Sequence, residues 1–413
     1  MRTLIACVLL SCLASPAGAG PNWPSFRGPT SDGRSDAATT ALRWSETRNI
    51  AWKTGISGEG WSSPVVWGDQ VWVTSATPDG KKLFALCVDL ATGRILRKIK
   101  VFHVEKPHPK LVAGSSYASP SPVIEAGRVY VHFGTYGTAC VDTNNGKKLW
   151  ERRDLTLDHK EGAGSSPALF GDLLILHCDG QDVQYVVALD KQTGKTKWKT
   201  DRSADFRETV PYQRKAYATP LVADLPEGRQ LLSVGARAAY GYDPATGKEL
   251  WKVHYTGWSN VSNAVYGGGL VFVNCGYGQA ELWAVRPNGK GDVTDSHMVW
   301  KLSRGVPGLS SPVLIGDWLF ICSDDGLAGC VQAKTGKLLW QQRLGGKVSA
   351  SPVFAGGRLY IAREDGRTSV LRAGPTFELL AVNPLEGMIR ASPAVVGRAL
   401  ILRTESHLYC IEE

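Results

Sequence analysis

One phrase recurs through this chain and limits its fold more than any other feature. Ser-Pro, three residues and then Gly occurs at Ser63-Pro64 to Gly68, Ser166-Pro167 to Gly171, Ser311-Pro312 to Gly316, Ser351-Pro352 to Gly356 and Ser392-Pro393 to Gly397. Ser121-Pro122 reaches Gly127 with one residue more. Thr219-Pro220 opens a longer variant ending at Gly228, and Ser262-Asn263 keeps the spacing to Gly267 without proline, which makes eight copies. Each is followed by an alternating apolar strand, a polar turn, a second strand, a turn of the Thr-Gly-Lys type and a strand bearing Trp. In the sixth unit the predicted strands are 311–315, 318–322, 328–332 and 338–341, the last with Trp340. Trp150, Trp198, Trp251 and Trp300 hold that place in units two to five, while Arg97 and Leu379-Leu380 replace it in units one and seven.

A four-stranded antiparallel sheet cannot bury both faces alone, so neighbouring sheets must stack, and a closed stack of eight is an all-β, eight-bladed β-propeller. The length agrees, because the 394 residues after position 19 give about 49 per unit, within the range of known propeller repeats. The last unit ends at Glu413 with no fourth strand, whereas Asn49 to Thr54 carries the Trp-bearing pattern with no unit before it. Pairing the two termini closes the ring and removes an open sheet edge. Trp52, Trp150, Trp198, Trp251, Trp300 and Trp340 are therefore blade-docking residues, each contributing about 2–3 kcal/mol by the area it buries. The abundance of Gly (46) and Pro (22) beside only three Met fits many short strands and tight turns.

Residues 1–19 read as a secretion signal: Arg2, an apolar stretch from Leu4 to Leu13, and Ala17-Gly18-Ala19 as a small-residue cleavage site. A second reading stays open, because Leu9-Leu10-Ser11-Cys12 resembles a bacterial lipobox and would place a lipid anchor at Cys12. Residues 20–48 form an N-terminal lead-in, and the propeller spans 49–413. Beyond the N-terminus no apolar run reaches the ~18 residues of a spanning helix. Seven cysteines remain after the leader: Cys87, Cys140, Cys178, Cys275, Cys322, Cys330 and Cys410. Most lie in apolar strands as buried thiols would, with one or two disulfides as the alternative; no spacing suggests a metal site. The net charge of +9 is scattered rather than clustered, so nucleic acid is not the expected partner.

The phrases Ser-Pro-x3-Gly, Asp-Gly and Val187-Ala188-Leu189-Asp190 through Thr193-Gly194-Lys195 to Trp198 resemble the repeat of the pyrroloquinoline-quinone (PQQ)-like propellers. The resemblance covers about residues 49 to 413. It implies the fold strongly and the function weakly, since the family includes quinoprotein dehydrogenases that bind PQQ with calcium and the non-catalytic propeller lipoprotein of the outer-membrane β-barrel assembly machine. Asn22-Trp23-Pro24-Ser25-Phe26-Arg27-Gly28-Pro29 is also similar to the opening of exported bacterial PQQ-like proteins. Against the dehydrogenases, the chain has no adjacent cysteine pair and no CxxCH haem site, and no catalytic residue or metal ligand carries over by motif.

Strand topology puts the D-to-A and B-to-C loops on one rim, where varied loops bring aromatic and basic residues. Trp61, Tyr117, Arg207, Tyr212, Arg214, Tyr217 and Trp258 are the candidate binding residues there, and loop packing is the alternative role of Trp61, Tyr117, Tyr217 and Trp258. Asp179, Asp182, Asp324, Asp325 and Asp365 are expected as turn residues, and His103, His108, His159 and His177 as surface or internally satisfied histidines. The leading expectation is a monomeric, non-catalytic binding or scaffolding module of the cell envelope, secreted, periplasmic or membrane-anchored, whose partner is a protein or another envelope macromolecule. The alternatives are a PQQ-dependent oxidoreductase using PQQ and calcium, and a carbohydrate-binding ring that stacks sugars on Trp61 and Trp258.

Overall fold

The computed structural model describes residues 22–108, 114–277 and 280–413, so the expected leader, its cleavage site and Cys12 lie outside the described residues. The described strands form eight antiparallel blades in sequence order around a common axis. Blade one runs outward from Val65–Trp67 through Gln70–Ala76 and Lys82–Asp89 to Ile95–His103. Blade eight has Ala394–Val396, Ala399–Arg403 and His407–Ile411, and its outer strand is Ile50–Gly55 from the other end of the chain. Trp52 faces Cys410 and Gly55 faces His407 in that closing ladder, as the incomplete last unit requires.

The repeated Ser-Pro has a physical purpose that its spacing alone does not reveal. The backbone N–H of Ser63 donates to Ser121 Oγ, and the same bond passes around the axis through Ser166, Thr219, Asn263, Ser311, Ser351 and Ser392, whose N–H returns to Ser63 Oγ. All eight lengths lie between 2.8 and 3.0 Å. Each blade's inner strand starts where its N–H has no ladder partner, and a side-chain oxygen of the next blade supplies one, a hydroxyl in seven cases and the Asn263 amide in one. The hoop also corrects the fifth copy by one residue. Asn263, rather than Ser262, occupies the serine position, because its amide oxygen reaches the Thr219 N–H at 2.8 Å as a hydroxyl would.

The outer strands are joined by indoles. Trp52 Nε1 donates to Leu90 O, Trp150 to Lys191 O, Trp198 to Pro244 O, Trp300 to Ala333 O and Trp340 to Gly374 O, always in the next blade. Gly93 lies flat under Trp52 with φ 73°, where an added Cβ would come within 2.7 Å of the ring. Blade one uses Arg97, whose guanidinium donates to Asn144 O in blade two. Trp251 departs from the pattern: its Nε1 donates to Gln230 Oε1 of its own blade, and Gln230 Nε2 continues to Pro287 O of blade five. A strap from blade five, Gly291–Asp292, pairs in parallel with Trp251 and Lys252 and covers the outer edge of blade four.

The lead-in segment fills the hub. Trp23 makes a two-bond bridge with Val66 in blade one, Pro24 O accepts from Ile124 N in blade two, and Arg27 reaches Ser311 O and Pro312 O in blade six. Gly33 and Ser35 then bracket Phe354 in blade seven. The inner strands of blades one, two and seven are thus bonded along their open edges by the lead-in. Trp44, stacked on Tyr360 at 6.2 Å and tied through its N–H to Asn383 Oδ1, packs against blade seven, which lacks an outer Trp. The seven described cysteines are all buried free thiols, and no described helix is long and apolar enough to cross a membrane.

Candidate functional site

The rim residues separate into three groups. Tyr212 is 46% exposed and meets Trp258 edge-on at 6.3 Å. Tyr277, 71% exposed, is tied to the same loop by its N–H on Trp258 O, and Val210 stands beside Tyr212 in sequence with its side chain open to solvent. These loops from blades three, four and five form an aromatic crest in which Val210, Tyr212 and Tyr277 are exposed and Trp258 is half-buried. Sequence reasoning found Tyr212 and Trp258 but not Tyr277, which lies in the sequence Gly276-Tyr277-Gly278 with no periodicity to mark it.

Tyr117 and Tyr217 instead pack loops. Tyr117 is buried over Gly80, its hydroxyl donating to His108 O at 2.5 Å. Tyr217 donates to Glu161, which also holds the buried Lys215 ammonium at 2.6 Å. Arg214 turns back on Thr209 O and braces its own loop. Arg207 is exposed and ion-paired with Asp205 at 2.6 Å. Trp61 lies in a third group, where the Arg390 guanidinium sits 5.2 Å from the indole centroid and ion-pairs with Glu364.

Around the axis the polar groups are deeply buried. Arg27 and Arg403 are fully buried without an ion pair among the described residues, and burial pushes their guanidinium pKa values down to about 10 and about 9. Arg403 donates from Nη1 to Ser62 O and Thr74 O across the closing seam. Arg202 is clamped by Asp179 at 2.7 Å and donates to Ser233, which bonds His177 Nε2; His177 Nδ1 then donates to Ala218 O. Burial, reinforced by Arg202, holds His177 well below its ordinary pKa, and burial lowers His132 to about 3. These histidines are neutral interior residues rather than rim residues.

A hollow of about 330 Å³ opens on blade four, lined by Asp205, Arg237, His254, Tyr255 and Thr256. Of these, sequence reasoning identified none. The available clue was the turn at residues 235–237, which puts Arg237 where the turns of blades six and seven put Gly326 and Gly366.

The family model described as outer membrane protein assembly factor BamB, the PQQ_2 repeat family, matches residues 34–153, 137–290 and 235–406. The chain belongs to that family. BamB of Yersinia pestis is 24% identical over 166 residues, 38% of this chain and 39% of that protein, so the match spans about two fifths of the curated relative. The solved BamB of Moraxella catarrhalis superposes with a TM-score of 0.61 over 88% of this chain and 99% of its own, at 12% identity. Equally distant in sequence at 12% are the quinohemoprotein alcohol dehydrogenase of Comamonas testosteroni (TM-score 0.63; 94% of this chain, 80% of that one) and a europium-containing methanol dehydrogenase (0.68; 94% and 90%). These structures share the fold.

The two dehydrogenases share the fold alone, so no quinone or metal ion is carried to this chain from them. Among the described residues no three His, Cys, Asp or Glu side chains are grouped to hold a metal. The carboxylates that face the loops are already engaged: Asp179 by Arg202, Asp324 by the N–H groups of Gly308 and Leu309, Asp365 by Arg363 and Arg367, and Asp182 by Asp158 N–H.

Proposed function

We propose that this protein is a non-catalytic binding module of the bacterial envelope that holds a protein partner on the crest formed by Val210, Tyr212, Trp258 and Tyr277. The observation that carries this reading is the open crest itself. Large aromatic side chains concentrated on loops of a rigid ring are the groups that anchor protein interfaces. Membership of the BamB family supports an envelope role, and the leader and lipobox expected at the N-terminus support export, with a periplasmic or membrane-attached location.

The test is site-specific photocrosslinking from position 212 or 277 in cells that export the protein. Discrete adducts, absent when the photoprobe sits at Leu149 on an outer strand, are expected. Adducts that are identical from all three positions would overturn the assignment of the crest. A PQQ-dependent oxidoreductase is the second reading, favoured by the shared fold of the two dehydrogenases. Titration with PQQ and calcium decides it: saturable binding with dye-linked alcohol oxidation would establish that reading in place of the first.

A further inference from the structure

The hollow on blade four shares no lining residue with the crest. Arg237 ends the turn between the second and third strands with φ 66°, in the left-handed region that favours glycine. In blades six and seven the residue just before the third strand is Gly326 at 78° and Gly366 at 80°. An arginine at this position is disfavoured locally by its Cβ, and such strain persists where surrounding structure holds it. Two backbone bonds do so here: Arg237 N donates to Gly257 O at 2.8 Å, and Tyr255 N donates to Arg237 O at 3.0 Å.

The guanidinium so positioned has no carboxylate partner among the described residues, and its one hydrogen bond is to Thr256 O at 3.5 Å. Asp205, the acid in the hollow, has both oxygens taken by Arg207. His254, also in the lining, is supported by Asp292 at 3.2 Å from Nε2, and Asp292 is held there by the strap that crosses from blade five. The hollow therefore offers a forked cation, an imidazole and the Thr256 hydroxyl, with its acids already paired. Its volume is at the small end of ligand sites.

We propose that this hollow binds the oxyanion of a small solute, a carboxylate or a phosphate monoester, through the Arg237 fork with His254 and Thr256 beside it. Guanidinium matches both oxyanions in bidentate geometry, whereas a lysine ammonium offers only a point charge. Because the site does not involve the crest, it stands or falls independently of protein capture there.

The experiment is calorimetric titration of the full chain with sodium phosphate and, separately, sodium acetate, at ionic strength held constant with sodium chloride, and with glucose as the neutral control. Arg237→Gly is the informative variant, since it removes the guanidinium and relieves the left-handed strain together. It is expected to melt at or above the parent's temperature while phosphate or acetate binding weakens at least tenfold; Arg237→Lys is expected to fall between. Saturation by phosphate alone, or by acetate alone, identifies which oxyanion the site takes. No saturable heat from either, or equal binding by the parent and Arg237→Gly, overturns the proposal.

Discussion

Replacing Ser351 with alanine would break one bond of the hoop around the axis and nothing else. Ser351 Oγ accepts from Ser311 N at 2.9 Å, and both residues are buried. Alanine leaves the Ser311 N–H without a partner and without water, a cost of about 1–3 kcal/mol for an unsatisfied buried donor. The lost oxygen is small, so cavity formation adds little. Ser351→Thr is the control, because Thr219 already fills the equivalent place and accepts from Ser166 N at 3.0 Å. Urea denaturation should show Ser351→Ala destabilised by about 1–3 kcal/mol and Ser351→Thr restored to within about 0.5 kcal/mol of the parent, with faster hydrogen exchange at the Ser311 amide in the alanine variant alone. Ser121→Ala, on the other side of the ring, should add independently, since the two sites share no partner. Equal stability of the alanine and threonine variants, or unchanged exchange at Ser311, would falsify the idea that the hydroxyl serves the neighbouring blade.

Other perturbations probe the seam, the interior and the strap. Trp52→Ala should cost about 3–5 kcal/mol and loosen the ladder between residues 50–55 and 407–411, read by proteolysis of the N-terminal strand; a merely local loss of fluorescence would argue that the seam does not depend on the indole. Gly93→Ala should destabilise by about 1–3 kcal/mol, since its Cβ would meet Trp52 and its φ is 73°; a neutral result in urea would contradict the close packing. Burial depresses His132 and His177, so the unfolded chain binds protons that the folded chain refuses. Stability is therefore full above pH 6.5 and declines as pH falls below it, at about 1.4 kcal/mol per pH unit for each histidine that stays neutral in the fold, down to about 3 for His132. His177→Gln should lower the pH slope of the urea midpoint by about one proton, and an unchanged slope would mean that this histidine is protonated in the fold. Gln230→Ala should strand the Trp251 Nε1–H and cost about 1–3 kcal/mol, unless the strap alone joins blades four and five, in which case urea stability will not change.

The eight blades, the closing strand and the Trp-docked outer edges are all legible in the sequence, because each repeats at a fixed position and repetition reveals what a single copy cannot. The one-residue slip at Ser262-Asn263 shows the limit of that reasoning. Spacing could not distinguish which side chain reaches the neighbouring blade, and a hydrogen bond could. Trp251 looked like its counterparts, yet Gln230 and the excursion through Gly291 change its role, and neither belongs to the repeat. At the rim, residue type alone made Tyr117, Tyr212 and Tyr217 equivalent candidates. Their surroundings separate them: two hydroxyls are spent on His108 O and Glu161, and the third ring stands in solvent. Arg237 escaped notice for the opposite reason, being marked by the glycine it replaces rather than by any motif of its own.

The lead-in through the hub also determines how the molecule would bear a mechanical load. Tension applied ahead of Asn22 would arrive first at Trp23, whose two-bond bridge to Val66 adjoins the Pro24 contact, and then at Arg27, inserted among carbonyls on blade six. Only after these, the Gly33 and Ser35 bonds to Phe354 and the Trp44 tie to Asn383 had yielded would the pull reach Ile50–Gly55, the strand on which circular integrity depends. The hub would thus act as a strain relief, as a knotted cable does inside a plug, sparing the closing strand from a pull on the leading end.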